Sequence, residues 1–432
     1  MKIRSLIALL ALAATIPLLA SLALASQYQV IYSFQGGSDG ELPQGDLILD
    51  SAGILYGTTQ FGGSHAFGTV FKLTPVPGGT WTETVIFNFS DGTDGGQPQA
   101  GVIMDSAGNL YGTTTAGGDP MCAPIYGFCG VIFELSPNSD RTWSETILHN
   151  FEGPEGHHPE AALTMDSAGN LYGSTVNGGT GGYGTVYQLA PNGDGTWSLN
   201  VLHNFYKDSG GTNPNSKVVF DTAGNLYGTT SDGGNLRFCD NLGCGTIFEL
   251  TPQLDGPWSM TTLHRFGVTD GANPVNVALD AAGNLYGATA NGGIGTCSGL
   301  IAPGCGTVFR LTPSAGGWRG NLIHRFNNNP GASPEPIMVD AAGNVYGGTL
   351  SGGLKKCDLN LETCGTLYKL TNSNGVFTTS TLHVFQGGTD GFWPYTAPTL
   401  DNSGILYGTT GNGGDLNCGV SGGCGTVFQI TP

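Results

Sequence analysis

Ten cysteines carry the clearest chemical signature in this 432-residue chain. They fall as five close pairs in Gly-rich loops, and two further loops of the same kind lack both members. Because the members of a pair are lost together, each pair is one unit, and in an exported chain local pairs indicate disulfides. Zinc is the alternative, but it needs four ligands at tight spacing, whereas these intervals vary. The predicted disulfides are Cys122–Cys129, Cys239–Cys244, Cys297–Cys305, Cys357–Cys364 and Cys418–Cys424.

A recurring aspartate is the second candidate for chemistry. A short Asp side chain accepts hydrogen bonds from its own turn and Gly takes positive φ, so the phrase Asp-x-x-Gly-x-x-Tyr-Gly predicts a hairpin turn. The alternative is calcium binding, but calcium loops supply several oxygens within a dozen residues, and here only the Asp recurs dependably. We therefore predict no cofactor, with calcium as the alternative. The phrase begins at Asp50, Asp105, Asp166, Asp221, Asp280, Asp340 and Asp401.

A second set of carboxylates could serve in acid–base catalysis. Each opens a segment of the form Asp-Gly-x-x-Pro, and two suitably spaced carboxyl groups are enough for a glycosidase. An extracellular carbohydrate-active enzyme, a hydrolase or lyase with carboxylates facing a central channel, is therefore one hypothesis. Their place in a repeated turn favours a structural role instead. These residues are Asp39, Asp94, Asp270 and Asp390.

Rings recur at two positions of the last strand-like segment of each repeat. Since Tyr and Phe share the first position with His, it requires a flat ring rather than a metal-binding nitrogen, and we predict packing there. The second position predicts packing between repeats, with a platform for sugar rings as the alternative. The first position holds Tyr32, Phe87, His149, His203, His264, His324 and His383, and the second holds Trp81, Trp143, Trp197, Trp258, Trp318 and Phe377.

Four strand-like segments accompany each phrase. In the third repeat they are residues 161–165, 171–175, 184–189 and 197–205, here called strands a, b, c and d. Short runs of β-branched and aromatic residues bounded by Gly, Asn, Asp and Pro are typical of strands. With 74 Gly, 23 Pro and 11% charged residues, long helices are excluded. We predict an all-β fold, a seven-bladed β-propeller of four-stranded blades; a β-helix is the alternative, but its coils are much shorter.

The N-terminus predicts export and ring closure. Residues 1–25 combine Lys2 and Arg4, an apolar run and a small-residue cleavage pattern, which indicates a signal peptide; a membrane anchor is the alternative. Residues 26–432 then form one propeller domain. They begin with a d strand and end with a, b and c, so we expect the N-terminal strand to complete the last blade and remove the exposed edges. No C-terminal anchor is recognisable, which predicts a secreted or cell-surface protein.

The repeat phrases resemble a known family. Residues 105–114 read Asp-Ser-Ala-Gly-Asn-Leu-Tyr-Gly-Thr-Thr, residues 68–75 read Gly-Thr-Val-Phe-Lys-Leu-Thr-Pro, and Trp and Leu-His-Asn-Phe follow. Together they are similar to the Gloeo/Verruco ("GloVer") tandem repeat of secreted bacterial proteins with differing surface anchors. The resemblance covers nearly all of residues 26–432. It implies an exported repeat protein and implies no reaction.

The net charge of the chain limits the classes of partner that it can bind. The formal net charge is −18, and loss of residues 1–25, with two basic and no acidic residues, would make it −20. This surface repels phosphate backbones, so we predict no nucleic-acid partner, and no membrane span in the mature chain. An extracellular glycan or protein remains, bound by a monomer. A surface-layer or adhesion component without a small ligand is a further alternative.

The loops that join strands b to c and d to a share one face of the predicted propeller. A rigid scaffold that presents varied loops on one face is typical of a binding surface. We therefore predict a non-catalytic binding scaffold, and no catalytic or metal residues. The candidate binding residues are Asp39, Asp94, His157, His158, Asn213, Asp270, Asp390, Phe392 and Trp393.

Overall fold

Each repeat folds into a four-stranded antiparallel sheet, and seven such sheets form a seven-bladed β-propeller. The structure is a computed structural model and describes residues 26–122, 128–254, 256–295, 297, 302–329, 331–353, 357 and 363–432. The predicted signal peptide lies outside these residues. Blades 1 to 6 are β2–β5, β6–β9, β10–β13, β14–β17, β18–β21 and β22–β25, and blade 7 is β26, β27, β28 and β1.

Strands run from the inner a strand to the outer d strand in every blade. Three 3₁₀ turns cover Gly37–Asp39, Cys239–Asn241 and Gly388–Asp390. The strands are β1 Gln27–Ser33, β2 Ile48–Leu49, β3 Leu55–Thr59, β4 Thr69–Val76, β5 Thr80–Asn88, β6 Ile103–Met104, β7 Leu110–Thr113, β8 Val131–Pro137, β9 Trp143–Asn150, β10 Thr164–Met165, β11 Leu171–Thr175, β12 Thr185–Pro191, β13 Trp197–Asn204, β14 Val219–Phe220, β15 Leu226–Thr230, β16 Thr246–Thr251, β17 Ser259–Arg265, β18 Ala272–Leu279, β19 Leu285–Asn291, β20 Thr307–Ser314, β21 Gly317–Arg325, β22 Ala332–Val339, β23 Val345–Ser351, β24 Thr366–Ser373, β25 Val376–Val384, β26 Thr399–Leu400, β27 Leu406–Thr410 and β28 Thr426–Thr431.

The first strand closes the ring, as predicted. β1 pairs antiparallel with β28, with Gln27 opposite Thr431 and Ser33 opposite Thr426. Since β28 also pairs with β27, the first strand becomes the outer strand of blade 7. Both ends of the described chain are therefore held in one sheet, and every blade has two neighbours.

The repeated Asp closes the a–b hairpin. In blade 3, Asp166 Oδ1 accepts the backbone N–H groups of Ala168 at 2.8 Å and Asn170 at 3.0 Å, and Oδ2 accepts the hydroxyl of Tyr172 at 3.0 Å. Gly169 has a φ of 85°, which a residue with a Cβ resists. Partial burial alone would raise the pKa of Asp166, but these hydrogen bonds outweigh it and lower the pKa. The carboxylate is fully engaged in its turn.

Aromatic pairs hold neighbouring blades together. The Phe that ends each d strand packs on a ring in strand c of the next blade, at centroid distances such as 5.1 Å for Phe34–Phe71 and 5.2 Å for Phe89–Phe133. The Trp that begins strand d packs on a strand b Tyr of the preceding blade, as in Trp81–Tyr407. The predicted packing role of the Trp position is confirmed, since large rings buried between blades remove the most apolar area from water.

The a strands differ among blades in a way that the repeat pattern did not predict. Five are two residues long, whereas β18 and β22 are eight residues long. In the two blades with long a strands, five residues lie between the loop proline and the turn Asp, and in the other five blades six do. The extra residue breaks the ladder after the proline, so the inner strand is irregular where it faces the channel.

Candidate functional site

The d–a and b–c loops of each blade pair with each other on one face, here called the loop face. In five blades they form isolated antiparallel bridges, and in blades 5 and 6 the same positions belong to the longer strands. Because the two loops share backbone hydrogen bonds, each blade presents them as one unit. The bridges are Glu41–Phe61, Gly96–Ala116, His157–Asn177, Thr212–Asp232 and Phe392–Asn412.

One residue in every d–a loop has a left-handed backbone. It immediately precedes the loop proline, has a φ between 53° and 60°, and is half-buried. This conformation is uncommon for a residue with a Cβ and is disfavoured before proline, so the surrounding structure must hold it. We call these seven residues the pre-proline ring: Leu42, Gln97, His158, Asn213, Asn273, Ser333 and Trp393.

Hydrogen bonds between blades hold the pre-proline ring in place. The backbone N–H of each member donates to a carbonyl at the start of strand c in the preceding blade. A glycine follows that carbonyl, and in blade 4 a Cβ on Gly245 would lie 2.5 Å from Pro274 Cδ. The seven bonds run around the whole propeller: Leu42 to Cys424 at 3.0 Å, Gln97 to Phe67 at 2.7 Å, His158 to Cys129 at 3.2 Å, Asn213 to Tyr183 at 2.9 Å, Asn273 to Cys244 at 2.9 Å, Ser333 to Cys305 at 2.9 Å and Trp393 to Cys364 at 3.3 Å.

The five predicted disulfides are formed, and they support this ring. The second cysteine of every pair supplies the carbonyl that accepts the bond from the next blade. In the two blades without cysteines, Phe67 and Tyr183 stand at that position. Thus either a disulfide or an aromatic ring anchors the end of the b–c loop beside its neighbour.

The carboxylates of the Asp-Gly-x-x-Pro segments hold the d–a loops, in agreement with the structural role favoured for a repeated turn. None of the four lines the channel, so the channel placement of the alternative enzyme hypothesis is not found for them. Each accepts a backbone N–H of its own loop: Gln35 N–H to Asp39, Ser90 N–H to Asp94, Gly267 N–H to Asp270 and Gln386 N–H to Asp390. The reason is that the segment precedes the proline, next to strand d, while the channel wall begins after the proline.

In four blades the recurring ring of strand d contacts an acidic side chain of the d–a loop that follows it. Tyr32 donates its hydroxyl to Asp39 at 2.8 Å, and Nε2 of His264 and His383 lies 2.8 and 3.0 Å from Asp270 and Asp390. His149 of blade 2 lies 3.4 Å from Glu155, which belongs to the loop that leads into blade 3. We call these pairs the loop clamps. Packing was predicted for this position, and the polar contact was missed; the regular interval of six or seven residues between ring and acid was the available signal.

His157 and His158 are in contact with each other. Their Nδ1 atoms are 2.5 Å apart, so one ring donates and the other accepts. Burial and then the neighbouring His158 lower the pKa of His157 to about 4, and burial lowers the pKa of His158. Both imidazoles are therefore neutral at pH 7. His157 is buried, whereas His158 belongs to the pre-proline ring.

Blade 7 places three aromatic rings in succession from the loop into the channel. Phe392 is 2% exposed and packs on Trp393 at 5.0 Å, so it supports its neighbour. Trp393 is half-buried and its ring lies 6.5 Å from that of Tyr395, which lines the channel. We call Trp393 and Tyr395 the aromatic ladder.

The central channel is a cavity of about 500 Å³ lined by the a strands. In six blades the residue that follows the loop proline lines this channel. The pre-proline ring lies two residues earlier in the chain, on the loop face. Asp46, Glu160 and Lys217 bring charges into the wall. Burial raises the pKa of Asp46, while Lys217 and the backbone N–H of Ala397, 2.9 Å away, oppose that rise. The opposite end is apolar, with Phe220 among its lining residues.

Two features that the described residues lack concern cofactors and membranes. No group of three or more His, Cys, Asp or Glu that could hold a metal ion occurs in the described ranges. In the same part of the chain no helix has the length and apolar character needed to cross a bilayer. Two basic features of the b–c loops have no counterpart in the other repeats. Arg237 is exposed in the b–c loop of blade 4, and the Lys355-Lys356 pair lies outside the described residues.

Similarity to known proteins agrees with the fold. An ulvan lyase, described as representing a new family of polysaccharide lyases, is 10% identical, with a TM-score of 0.52 over 92% of this chain and 95% of that one. A fungal alcohol oxidase in complex with copper is 13% identical, with a TM-score of 0.52 over 94% of this chain and 76% of that one. At these identities the likeness concerns the fold alone. No curated protein sequence matches the chain significantly.

The repeat itself is more specific. The Gloeobacter/Verrucomicrobia repeat matches residues 18–139, 126–301 and 294–432. These matches extend across the whole propeller and agree with the resemblance carried by the turn and strand phrases. The chain belongs to the Gloeobacter/Verrucomicrobia repeat family.

Proposed function

We propose that this protein is a secreted, non-catalytic binding module that recognises a glycan or a protein through its loop face. The pre-proline ring carries the proposal. Seven residues share one strained backbone conformation and one hydrogen-bonding pattern, yet their side chains include Leu, Gln, His, Asn, Ser and Trp. Strained positions that the scaffold holds rigidly are frequent at functional sites, and varied side chains on such a scaffold can provide specificity.

The rest of the molecule fits an extracellular role. Five local disulfides are stable in an oxidising compartment and are rare in the cytosol. The predicted signal peptide at residues 1–25 would direct the chain there. With the loop clamps and turn aspartates engaged in structural hydrogen bonds, the repeated carboxylates have roles that do not require a substrate.

A carbohydrate-active enzyme is the second candidate, and the channel gives it its support. Glu335 follows the loop proline of blade 6, and burial raises its pKa to about 8. Burial also raises the pKa of Glu160 in the channel wall. A carboxyl group that is protonated at neutral pH can act as a general acid, and raised pKa values are frequent at catalytic sites. On this hypothesis the acids lie after the prolines and not in the Asp-Gly-x-x-Pro segments.

The test is a binding screen of residues 26–432 against glycans and extracellular proteins, with calcium and with chelator, in which products are measured beside binding. We expect binding without products. Substitution of Asn213 and Trp393 by Ala should remove it. The control Leu254→Ala, at an exposed side chain of a c–d loop on the opposite face, should keep it. Product formation, or binding that survives the double variant, would refute the proposal.

A further inference from the structure

The channel mouth is chemically asymmetric, although the backbone around it is repeated. The residue after the loop proline lines the channel in six blades, and we infer that the residue before it borders the channel mouth on the loop face. Only blade 7 places aromatic rings at both positions, Trp393 and Tyr395. Blade 2 has Gln97 and Gln99 there, and blade 4 has Asn213 and Asn215. The planes of these two rings are 64° apart, so one side of the mouth is an aromatic corner that offers one ring face and one ring edge, and amides stand on other sides.

The order of the blades sets the platform opposite polar groups. In a closed ring of seven, blades 3 and 4 are the farthest from blade 7. Blade 4 contributes Asn213, whose Nδ2 donates to the carbonyl of Val176 at 3.1 Å. This bond fixes the orientation of the amide. A flat ligand resting on the aromatic ladder would have its other edge within a channel bordered by amides and by His158.

Such a combination suits a sugar ring. The C–H face of a sugar is apolar and packs on an aromatic ring, whereas its hydroxyl groups both donate and accept hydrogen bonds, as amides do. A cavity of about 500 Å³ lies within the usual range for small-ligand sites, which is roughly 300–1,000 Å³. A few apolar contacts with well-placed polar groups are the normal composition of such sites.

The charges of the channel favour an uncharged ligand. Asp46 and Lys217 oppose each other in sign, and burial raises the pKa of Glu160, which disfavours its charged form. The whole chain is strongly acidic, with a formal net charge of −18. An anionic polysaccharide would meet this negative field, and a neutral one would not.

We infer that the channel mouth binds the terminus of an uncharged saccharide chain, with Trp393 and Tyr395 as the stacking platform and Asn213 as a hydrogen-bonding partner on the opposite side. The inference rests on the proposed function and specifies its ligand. A terminus is favoured over the middle of a chain because seven a strands enclose the channel on all sides and its far end is apolar, around Phe220.

The experiment is calorimetric titration of residues 26–432 with defined probes. The neutral linear probes are maltoheptaose, cellohexaose, xylohexaose, mannohexaose and laminarihexaose, and the acidic probe is oligogalacturonate. β-Cyclodextrin is the matched control for maltoheptaose, since it is also built of seven glucose units but has no terminus. We expect at least one neutral linear probe to bind, oligogalacturonate not to bind, and the cyclic probe to bind at least about tenfold more weakly than a linear glucan that binds.

Variants then locate the site. Trp393→Ala should weaken binding about tenfold or more, equivalent to about 1.4 kcal/mol, whereas Trp393→Phe should retain most of the affinity. Because Trp393 also packs on buried neighbours, Gly411→Ala is the second variant. A Cβ there would lie 2.5 Å from Tyr395 Cε2, so the ring must move while every aromatic side chain is kept. It should also weaken binding, and thermal unfolding checks that both variants fold.

The outcomes separate this inference from the proposed function. If oligogalacturonate or a protein binds and Trp393→Ala abolishes that binding, the loop face is a binding surface but the ligand class inferred here is wrong. If the cyclic and linear glucans bind equally, the preference for a terminus is refuted. If none of the neutral probes binds, the inference is overturned, and the protein arm of the screen decides the proposed function separately.

Discussion

The loop clamp between blades 4 and 5, formed by His264 and Asp270, allows a quantitative test of the role assigned to the Asp-Gly-x-x-Pro carboxylates. The Oδ2 atom of Asp270 lies 2.8 Å from Nε2 of His264, and the Oδ1 atom of Asp270 accepts the backbone N–H of Gly267 at 2.7 Å. Hydrogen bonds to a charged group contribute about 1.5–3 kcal/mol each. Since the Asp270 side chain is 40% exposed, solvent screening reduces this, and we expect Asp270→Ala to lower the free energy of unfolding by about 1–2 kcal/mol.

The contribution of the clamp should depend on pH. Burial alone would raise the pKa of Asp270, but hydrogen bonds from His264 and Gly267 outweigh it and lower the pKa below its usual value. A folded-state pKa below the unfolded one gives stability that is present above the unfolded pKa, near 3.8, and is lost as pH falls through the folded pKa. The difference between wild type and Asp270→Ala should therefore shrink in acid.

The assay is urea unfolding of residues 26–432 with the disulfides intact, for wild type, Asp270→Ala, His264→Phe and the double variant. The equivalent position of blade 1 already carries Phe87, so His264→Phe should preserve ring packing and remove only the polar contact. The two single effects should be coupled by about 0.5 kcal/mol or more. Additive effects would show that His264 and Asp270 are not coupled and would refute the clamp. Loss of ligand binding by Asp270→Ala without loss of stability would show that the carboxylate acts on a ligand and not on its loop.

Three further predictions follow from buried contacts. Replacing both Cys239 and Cys244 by Ser should cost about 2 kcal/mol in the chain-entropy model, measured by the urea midpoint; an unchanged midpoint would contradict it. Gly101→Ala should destabilise the fold by about 1–3 kcal/mol or more and lower the melting temperature, because the new Cβ would lie 2.0 Å from the carbonyl oxygen of Asp46. A melting temperature equal to that of the wild type would show that the two blades can move apart there without cost. Burial raises the pKa of Glu335 to about 8, so its contribution to stability is present below about pH 4.5 and is lost as pH rises through 8; Glu335→Gln should reduce the loss of stability between pH 5 and 9, and an identical pH profile would count against a protonated Glu335.

Much of the fold could be predicted because it depends on short-range patterns. The turn around Asp166 needs only a carboxylate, a glycine and the right spacing, and all its hydrogen bonds lie within six residues. Each disulfide joins cysteines that are five to eight residues apart. Ring closure by β1 could be predicted because the four-strand unit is repeated and the first d strand has no blade of its own in sequence.

The candidate site was predicted less well, because its geometry is formed between blades. His158, Asn213 and Trp393 were expected at the binding surface, but Leu42, Gln97, Asn273 and Ser333 were not, although all seven share a backbone conformation. A residue before proline is normally extended, so a left-handed conformation is not expected there from the residue types alone. The hydrogen bond from Trp393 to the carbonyl of Cys364 exists only when blades 6 and 7 are side by side.

The direction of the carboxylates could not be predicted from the sequence. Asp39 and Asp390 were considered as channel-facing acids, and the structure places them in loop clamps beside strand d. Sequence spacing shows that such residues recur, but it does not show on which side of a loop their side chains lie. The direction is the same before a short a strand, as for Asp39, and before a long one, as for Asp270, because in both loops the strand d ring holds the carboxylate.

The sequence by itself determined seven repeats, the hairpin turns, the disulfide pairs and the closed all-β ring, because these follow from local hydrogen bonding, strand periodicity and short chain separations. Only the tertiary structure decided which side chains surround the channel. Residues 42 and 424 are far apart in the chain and adjacent in space, and the interblade bond that joins them arises when the last blade meets the first. A sequence repeat specifies each blade, whereas the position of a side chain at the mouth depends on how all seven blades pack together.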